Sequence, residues 1–285
     1  MQNILLICYN VIMLLPRILT ALVGIPLVIA SIYYGGVFYM ALVAAITLLC
    51  LYEYGVILFT AKKPVNRISL IVFGFLMMIA ATVGTLPDVE GSTAVYLPNF
   101  FIAITLFGIM FVEILSPKRS LERVANTFLG VMLIPWALVH LVAIRALEPY
   151  GEYFTYILFF TIWAADTFAY IFGTWLGKHR LNKTVSPKKS WEGTIAAVVC
   201  GTGVTVFLWD LYFPAYLTLN QALILGASIS VISQISDLAE SLIKRSAGVK
   251  DSSNILPGHG GIFDRFDGFI LTAPIIYYIA LYMCK

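Results

Sequence analysis

Val37-Phe-Tyr-Met-Ala-Leu-Val-Ala-Ala-Ile-Thr-Leu-Leu-Cys-Leu-Tyr-Glu53-Tyr-Gly-Val-Ile-Leu-Phe-Thr-Ala61 runs for 25 residues with one formal charge, Glu53. About 20 apolar residues, rising 1.5 Å each, cross the hydrocarbon core of a bilayer, so this stretch is of spanning length. It lacks the strict alternation of a strand. In lipid only helices and closed barrels satisfy their own backbone, and a continuous apolar run of this kind is expected to be helical.

Working outward, eight further runs of similar character occur, giving expected spans at 18–34, 37–61, 68–86, 99–115, 124–144, 153–176, 191–209, 221–236 and 269–283. The first, eighth and ninth are short. The whole chain is 60% hydrophobic and only 12% charged, with mean hydropathy +0.92, which excludes a soluble domain. The expected fold is an all-α polytopic integral membrane protein of about nine transmembrane helices with cytoplasmic catalytic loops. Residues 1–285 are read as a single membrane domain, with spans one to five in 1–160 and the chemistry in 161–285.

Alternating the spans from an inside N-terminus puts 16 of the 18 Lys and Arg residues on one side. Only Arg145 and Lys285 fall opposite, among Asp88, Glu90, Glu148, Glu152 and Asp210. The bias marks the basic face as cytoplasmic, where anionic lipid head groups would meet it. Residues 4–15 are apolar but too short to span. They lack the basic start and small-residue site of a cleaved signal, and Met13 is an alternative first residue. Cys8, Cys50, Cys200 and Cys284 have no metal-like spacing and read as small core residues.

Polar residues crowd into two expected cytoplasmic segments. The first holds Gly173-x-x-x-Gly177-Lys178-His179-Arg180, Lys183 and Ser186-Pro187-Lys188-Lys189-Ser190-Trp191-Glu192-Gly193. Ser186, Lys188, Lys189 and Ser190 would make a triphosphate grip, whereas the glycine pair points more to close helix packing. The second is Ser241-Leu-Ile-Lys244-Arg245, then Lys250-Asp251, then Pro257-Gly258-His259-Gly260-Gly261-Ile-Phe-Asp264-Arg265-Phe-Asp267. Helical spacing puts Asp237, Glu240 or Ser241, and Lys244 on one face, and Asp264 and Asp267 share another if 263–270 is helical. Salt bridges among these groups are the bland alternative. Beside a membrane, unpaired carboxylates are costly, which favours a divalent cation held by oxygen ligands. His259 reads equally as a catalytic group or a loop histidine. Glu53 and Asp166 lie about 12 Å and about 15 Å inside the cytoplasmic ends of their spans. Asp166 is expected to join the site, and Glu53 suits the site or packing equally.

Position for position, the stretch from Ser241 to Asp267 resembles the phosphatidate cytidylyltransferases, the CDP-diacylglycerol synthases. So do Asp166-Thr-Phe-Ala-Tyr170-x-x-Gly173-x-x-x-Gly177 and the Ser186–Gly193 string, so the resemblance covers about 163–270. Upstream it rests on Arg17, Gly35-Gly36 and Tyr52-Glu53-Tyr54. One departure is Ser236, where family members usually have Gly before the aspartate.

The resemblance implies that CTP and phosphatidate react to give CDP-diacylglycerol and pyrophosphate, with Mg2+ required and a second cation such as K+ associated with the site. It implies metal ligands at Asp237 and Asp264, with Asp267 in the same motif. Lys250, Asp251 and His259 join these aspartates as catalytic candidates. Ser186, Lys188, Lys189, Ser190, Ser241, Lys244, Arg245, Arg265 and Asp166 are the substrate-binding candidates. Expected partners are CTP, phosphatidate and membrane lipids, with no nucleic acid and with a homodimer left open. The expected location is the inner or plasma membrane of a bacterium. Rival readings are a CTP-dependent polyprenol kinase and, from another class, a secondary transporter using Asp166 and Glu53. The absence of an internal repeat speaks against the transporter.

Overall fold

The computed structural model describes residues 19–84, 92–212, 216–253, 255–256 and 260–284. The expectations concerning residues 4–15, Met13, Cys8, Arg17 and Pro257-Gly258-His259 lie outside the described residues. The elements are α1 (Leu19–Tyr34), α2 (Gly36–Thr60), α3 (Arg67–Gly84), α4 (Ser92–Leu115), α5 (Leu121–Leu133), α6 (Pro135–Arg145) and α7 (Gly151–Trp175). After these come β1 (Arg180–Asn182), β2 (Ser186–Ser190), α8 (Trp191–Tyr212), α9 (Leu219–Ser246), α10 (Phe263–Ile270) and α11 (Thr272–Met283).

Among the described residues, six helical stretches are long and apolar enough to cross a membrane: Gly36–Thr60, Leu121–Arg145, Gly151–Trp175, Trp191–Tyr212, Leu219–Ser246 and Phe263–Met283. Three shorter apolar helical stretches, Leu19–Tyr34, Arg67–Ala80 within α3 and Phe100–Leu115 within α4, coincide with the remaining expected spans. Two of the long stretches are interrupted. Pro135 has no N–H to donate and its ring crowds the preceding turn, so the chain breaks at Ile134 between α5 and α6. Leu271 separates α10 from α11.

Local chemistry starts several helices. Ser120 accepts the Arg123 N–H at the head of α5, and Thr218 with Gln221 forms a reciprocal capping box at the head of α9. The all-α expectation missed one antiparallel hairpin, in which Arg180 pairs with Ser190 and Asn182 with Ser186. Its turn closes on Asn182, whose Oδ1 accepts from Thr184 N and Val185 N at 3.1 and 3.0 Å.

The core lies where α2, α6, α7, α9, α10 and α11 meet, around Tyr39, Leu51, Leu138, Leu158, Ile229, Phe263, Phe269 and Ile276. Outside it, Leu22, Val23 and Leu27 of α1, Phe107 and Phe111 of α4, and Ile195, Val199 and Phe207 of α8 are exposed. Water would penalise so continuous an apolar exterior, whereas lipid would not. The helices α7, α8 and α9 approach closely through small residues. A Cβ on Gly193 would lie 2.7 Å from the Ala169 carbonyl oxygen and 3.0 Å from Gly173 Cα. Thr161 and Thr205 share a buried 2.7 Å hydrogen bond across the same pair of helices. The packing reading of Gly173 is therefore borne out. This contact sets the hairpin, at the junction of α7 and α8, beside the second half of α9.

Candidate active site

The second half of α9 presents Asp237, Glu240, Ser241 and Lys244 along one face, at intervals of three and four residues. Glu240, Ser241 and Lys244 are buried there. From α10, Asp267 completes a group in which ligand oxygens of Asp237, Glu240 and Asp267 all lie within 4.8 Å of one another. Two ammonium groups flank this cluster. Lys189, from β2, lies 2.6 Å from Asp237 Oδ2, and Lys244 lies 2.6 Å from Glu240 Oε2 and 2.7 Å from Asp264 Oδ1.

Asp264 is held differently from the clustered carboxylates. Ser252 N, Ser252 Oγ and Gly261 N reach its Oδ2 at 3.0, 3.0 and 2.9 Å. Gly260 has φ +81°, and a Cβ on it would lie 2.8 Å from Asp264 Oδ2, so the turn needs glycine on both counts. Asp166 is linked to the cluster at one remove. Gln234 Nε2 donates to Asp166 Oδ1 at 3.2 Å, while Lys189 Nζ donates to Gln234 Oε1 at 3.3 Å. A polar line thus runs from Asp166 through Gln234 and Lys189 to Asp237.

A model of the cytidylyltransferase family matches residues 15–283. This chain belongs to that family. It is 32% identical to the phosphatidate cytidylyltransferase of Synechocystis sp., covering 93% of this chain and 96% of that protein. It is equally 32% identical to the protein of the same name from Staphylococcus haemolyticus, covering 94% and 99%. Over a 133-residue stretch, 45% of this chain and 50% of the relative, it is 44% identical to the Staphylococcus aureus protein of that name. The family's bacterial relatives and the long apolar helices together make this an integral membrane protein.

The donor set suits a hard divalent cation. Three carboxylates converge, with neither His nor Cys among them, and Glu240 Oε1 is buried without a hydrogen-bond donor among the described residues. Oε2 has only the Lys244 ion pair. A further cation could be held by this group of oxygens.

The other expected site residues have separate surroundings. Ser190 is buried and its Oγ accepts the Gly193 N–H at 3.2 Å, capping α8. Ser241 Oγ lies 3.4 Å from Asp237 Oδ1. Arg245 ties the two polar segments together, donating to Val185 O at 3.3 Å and Val249 O at 3.1 Å. Lys188 is exposed on β2, with its carbonyl accepting from Arg180, and Ser186 begins the same strand. Lys250 and Asp251 are exposed at a bend, and Arg265 is exposed on α10. His259 is outside the described residues.

Three contributors were not singled out from the sequence. Gln234 looked like an ordinary polar residue within a span. Glu240 was placed on the right face but not among the ligands. Ser236, noted only as a departure from the family pattern, donates from Oγ to the Asp267 carbonyl and accepts the Leu271 N–H at 3.0 Å. It therefore ties α9 to the break between α10 and α11, directly behind Asp267. Its small size immediately before Asp237 was the available signal.

Proposed function

We propose that this protein transfers CMP from CTP to phosphatidate, forming CDP-diacylglycerol and releasing pyrophosphate. One observation carries the reading. The polar stretch that resembles the phosphatidate cytidylyltransferases folds around the Asp237, Glu240 and Asp267 carboxylates, in a chain that matches relatives of that name over nearly its whole length.

A phosphatidate phosphate oxygen attacks the α-phosphorus of CTP in line. A new P–O bond forms, the bond to the bridging oxygen of the β-phosphate breaks, and its electron pair leaves with pyrophosphate. Both reactants are anions, so the chain must neutralise and align them rather than supply a covalent nucleophile. Lys188, Lys250 and Arg265, all exposed, would bind phosphate oxygens, and Arg245 would hold the hairpin against the end of α9. The Lys189 ammonium, 2.6 Å from Asp237, would be placed to meet the incoming triphosphate. Lys244, between Glu240 and Asp264, would limit repulsion among the acids. Asp237, Glu240 and Asp267 would hold Mg2+, with Asp264 on the Lys244 side; the bound ion supplies Lewis-acid polarisation of phosphoryl oxygens.

The three shorter apolar helices are proposed to cross the bilayer with the six long ones, making nine spans. The Lys and Arg distribution supports a cytoplasmic site, reached by CTP from water and by phosphatidate from the inner leaflet. The chemistry would then lie in 161–285, on a scaffold completed by 1–160. Neither the family nor the carboxylate cluster favours the polyprenol kinase or the transporter. In detergent with Mg2+, purified protein is expected to release pyrophosphate only when CTP and phosphatidate are both present. Release that ignores the lipid, or no release, would contradict the proposal.

A further inference from the structure

Glu53 is 0% exposed, within the apolar helix α2, yet it has no cationic partner among the described residues. Its carboxylate is surrounded by donors from the distant polar motif. Oε1 accepts from Ser253 Oγ at 2.5 Å and Ile262 N at 3.0 Å; Oε2 accepts from Ser252 Oγ at 3.0 Å and Phe263 N at 2.7 Å. An ionised carboxylate has about four lone-pair sites, and here donors approach all of them. Ile262 and Phe263 open α10, so the anion also lies at the positive end of that helix.

Gly261 explains how the backbone comes so near. A Cβ there would collide with Ser252 Oγ and lie 2.5 Å from Glu53 Oε2. The glycine of this motif is thus fitted to a carboxylate from the other half of the chain rather than to open space.

The contacts continue inward. Ser252 Oγ lies 3.0 Å from both Glu53 Oε2 and Asp264 Oδ2, so its one proton serves either acid, while Ser252 N donates to Asp264. Asp264 is paired with Lys244, and Lys244 with Glu240 of the carboxylate cluster. We infer that Glu53 is a positioning residue for the transfer reaction: it clamps residues 252–253 and 261–263 to α2, and through Ser252 and Asp264 it sets the acidic cluster at the head of α10. The inference rests on the proposed cytidylyl transfer for its kinetic consequences, but the clamp itself can be read without turnover.

The test compares wild type, Glu53→Gln, Ser252→Ala and the double variant, by initial rates over CTP and Mg2+ concentrations and by amide hydrogen exchange of peptides covering 249–266. Glu53→Gln replaces one acceptor oxygen with a donor facing donors, and it is expected to lower kcat at least ~10-fold, with a much smaller change in the KM for CTP. More Mg2+ should be needed for half-maximal rate, and the amides of Ser252 and 261–263 should exchange faster while helix α2 stays protected. The double variant should be no slower than the slower single variant, because both interrupt one connection. Wild-type kcat with wild-type exchange in Glu53→Gln would overturn the inference. So would lower thermal stability with kcat unchanged per folded molecule, which describes packing alone. If Glu53→Gln does not insert, Ser253→Ala removes one donor and leaves α2 intact; wild-type exchange and kcat there would equally overturn it. A wild-type protein that transfers no CMP would instead refute the proposed function, with the exchange measurement still deciding the clamp.

Discussion

Lys189 Nζ lies 2.6 Å from Asp237 Oδ2, so the first polar segment of the chain is joined by an ion pair to the helix that carries the second. The hairpin is therefore not a loop that only fixes topology. It delivers an ammonium to the edge of a carboxylate cluster, where a triphosphate bearing its own cation would compete for both groups.

Replacing that ammonium should weaken both functions. Lys189→Ala is expected to lower kcat/KM for CTP by ~10- to 100-fold, the range for a lost charge-assisted contact to phosphate. Steady-state kinetics in detergent with phosphatidate fixed would measure it. An unchanged kcat/KM would limit Lys189 to its structural ion pair.

Glu240 gives a sharper test of the metal site, because its buried Oε1 has no hydrogen-bond donor among the described residues. Glu240→Gln keeps the shape and leaves Lys244 paired with Asp264. The expected outcome is a half-saturating Mg2+ concentration raised by ~10-fold or more, with the protein still folded. A Mg2+ titration identical to wild type would remove Glu240 from the ligand set.

Asp264 is expected to be less forgiving. Asp264→Asn gives up the charge facing Lys244 and sets an amide against Ser252 N and Gly261 N. Breaking one side of a buried pair costs about 3–5 kcal/mol. Turnover should be abolished while the protein remains membrane-inserted, as fractionation and assay would report. Near-normal activity at ordinary Mg2+ would separate Asp264 from the site.

Gly193 tests the packing that sets the hairpin. A Cβ at Gly193 would press on the Ala169 carbonyl and on Gly173. Gly193→Val is expected to cost ~1–3 kcal/mol by overpacking and to lower the thermal midpoint in detergent. An unshifted midpoint would mean that α7 and α8 can separate without loss.

How legible was all this in the sequence? Apolar runs are explicit because lipid removes every backbone alternative, so α2, α7 and α8 fall where 37–61, 153–176 and 191–209 were expected. Pro135 within 124–144 was itself the sign of the break at Ile134, but hydropathy averages over a break. The hairpin at 180–190 is short and polar, held by the Asn182 turn rather than by side-chain alternation. In the site, helical periodicity correctly aligned Asp237, Glu240 and Lys244, because they share one helix. It could not show that Asp267 would meet Asp237 while Asp264 turned to Lys244, since that depends on how α10 docks on α9. Glu53 was the least readable: its donors come from residues about 200 positions away, a separation at which local patterns are silent.

The measurement that bears most directly on the central claim is the fate of label from CTP marked at its α-phosphorus, incubated with purified protein, phosphatidate and Mg2+. The account predicts that the label enters lipid, matched mole for mole by pyrophosphate, and that Asp237→Asn prevents both. Label that stays in water-soluble CDP, with phosphate reaching the lipid from the γ position, would contradict cytidylyl transfer and make the protein a lipid kinase.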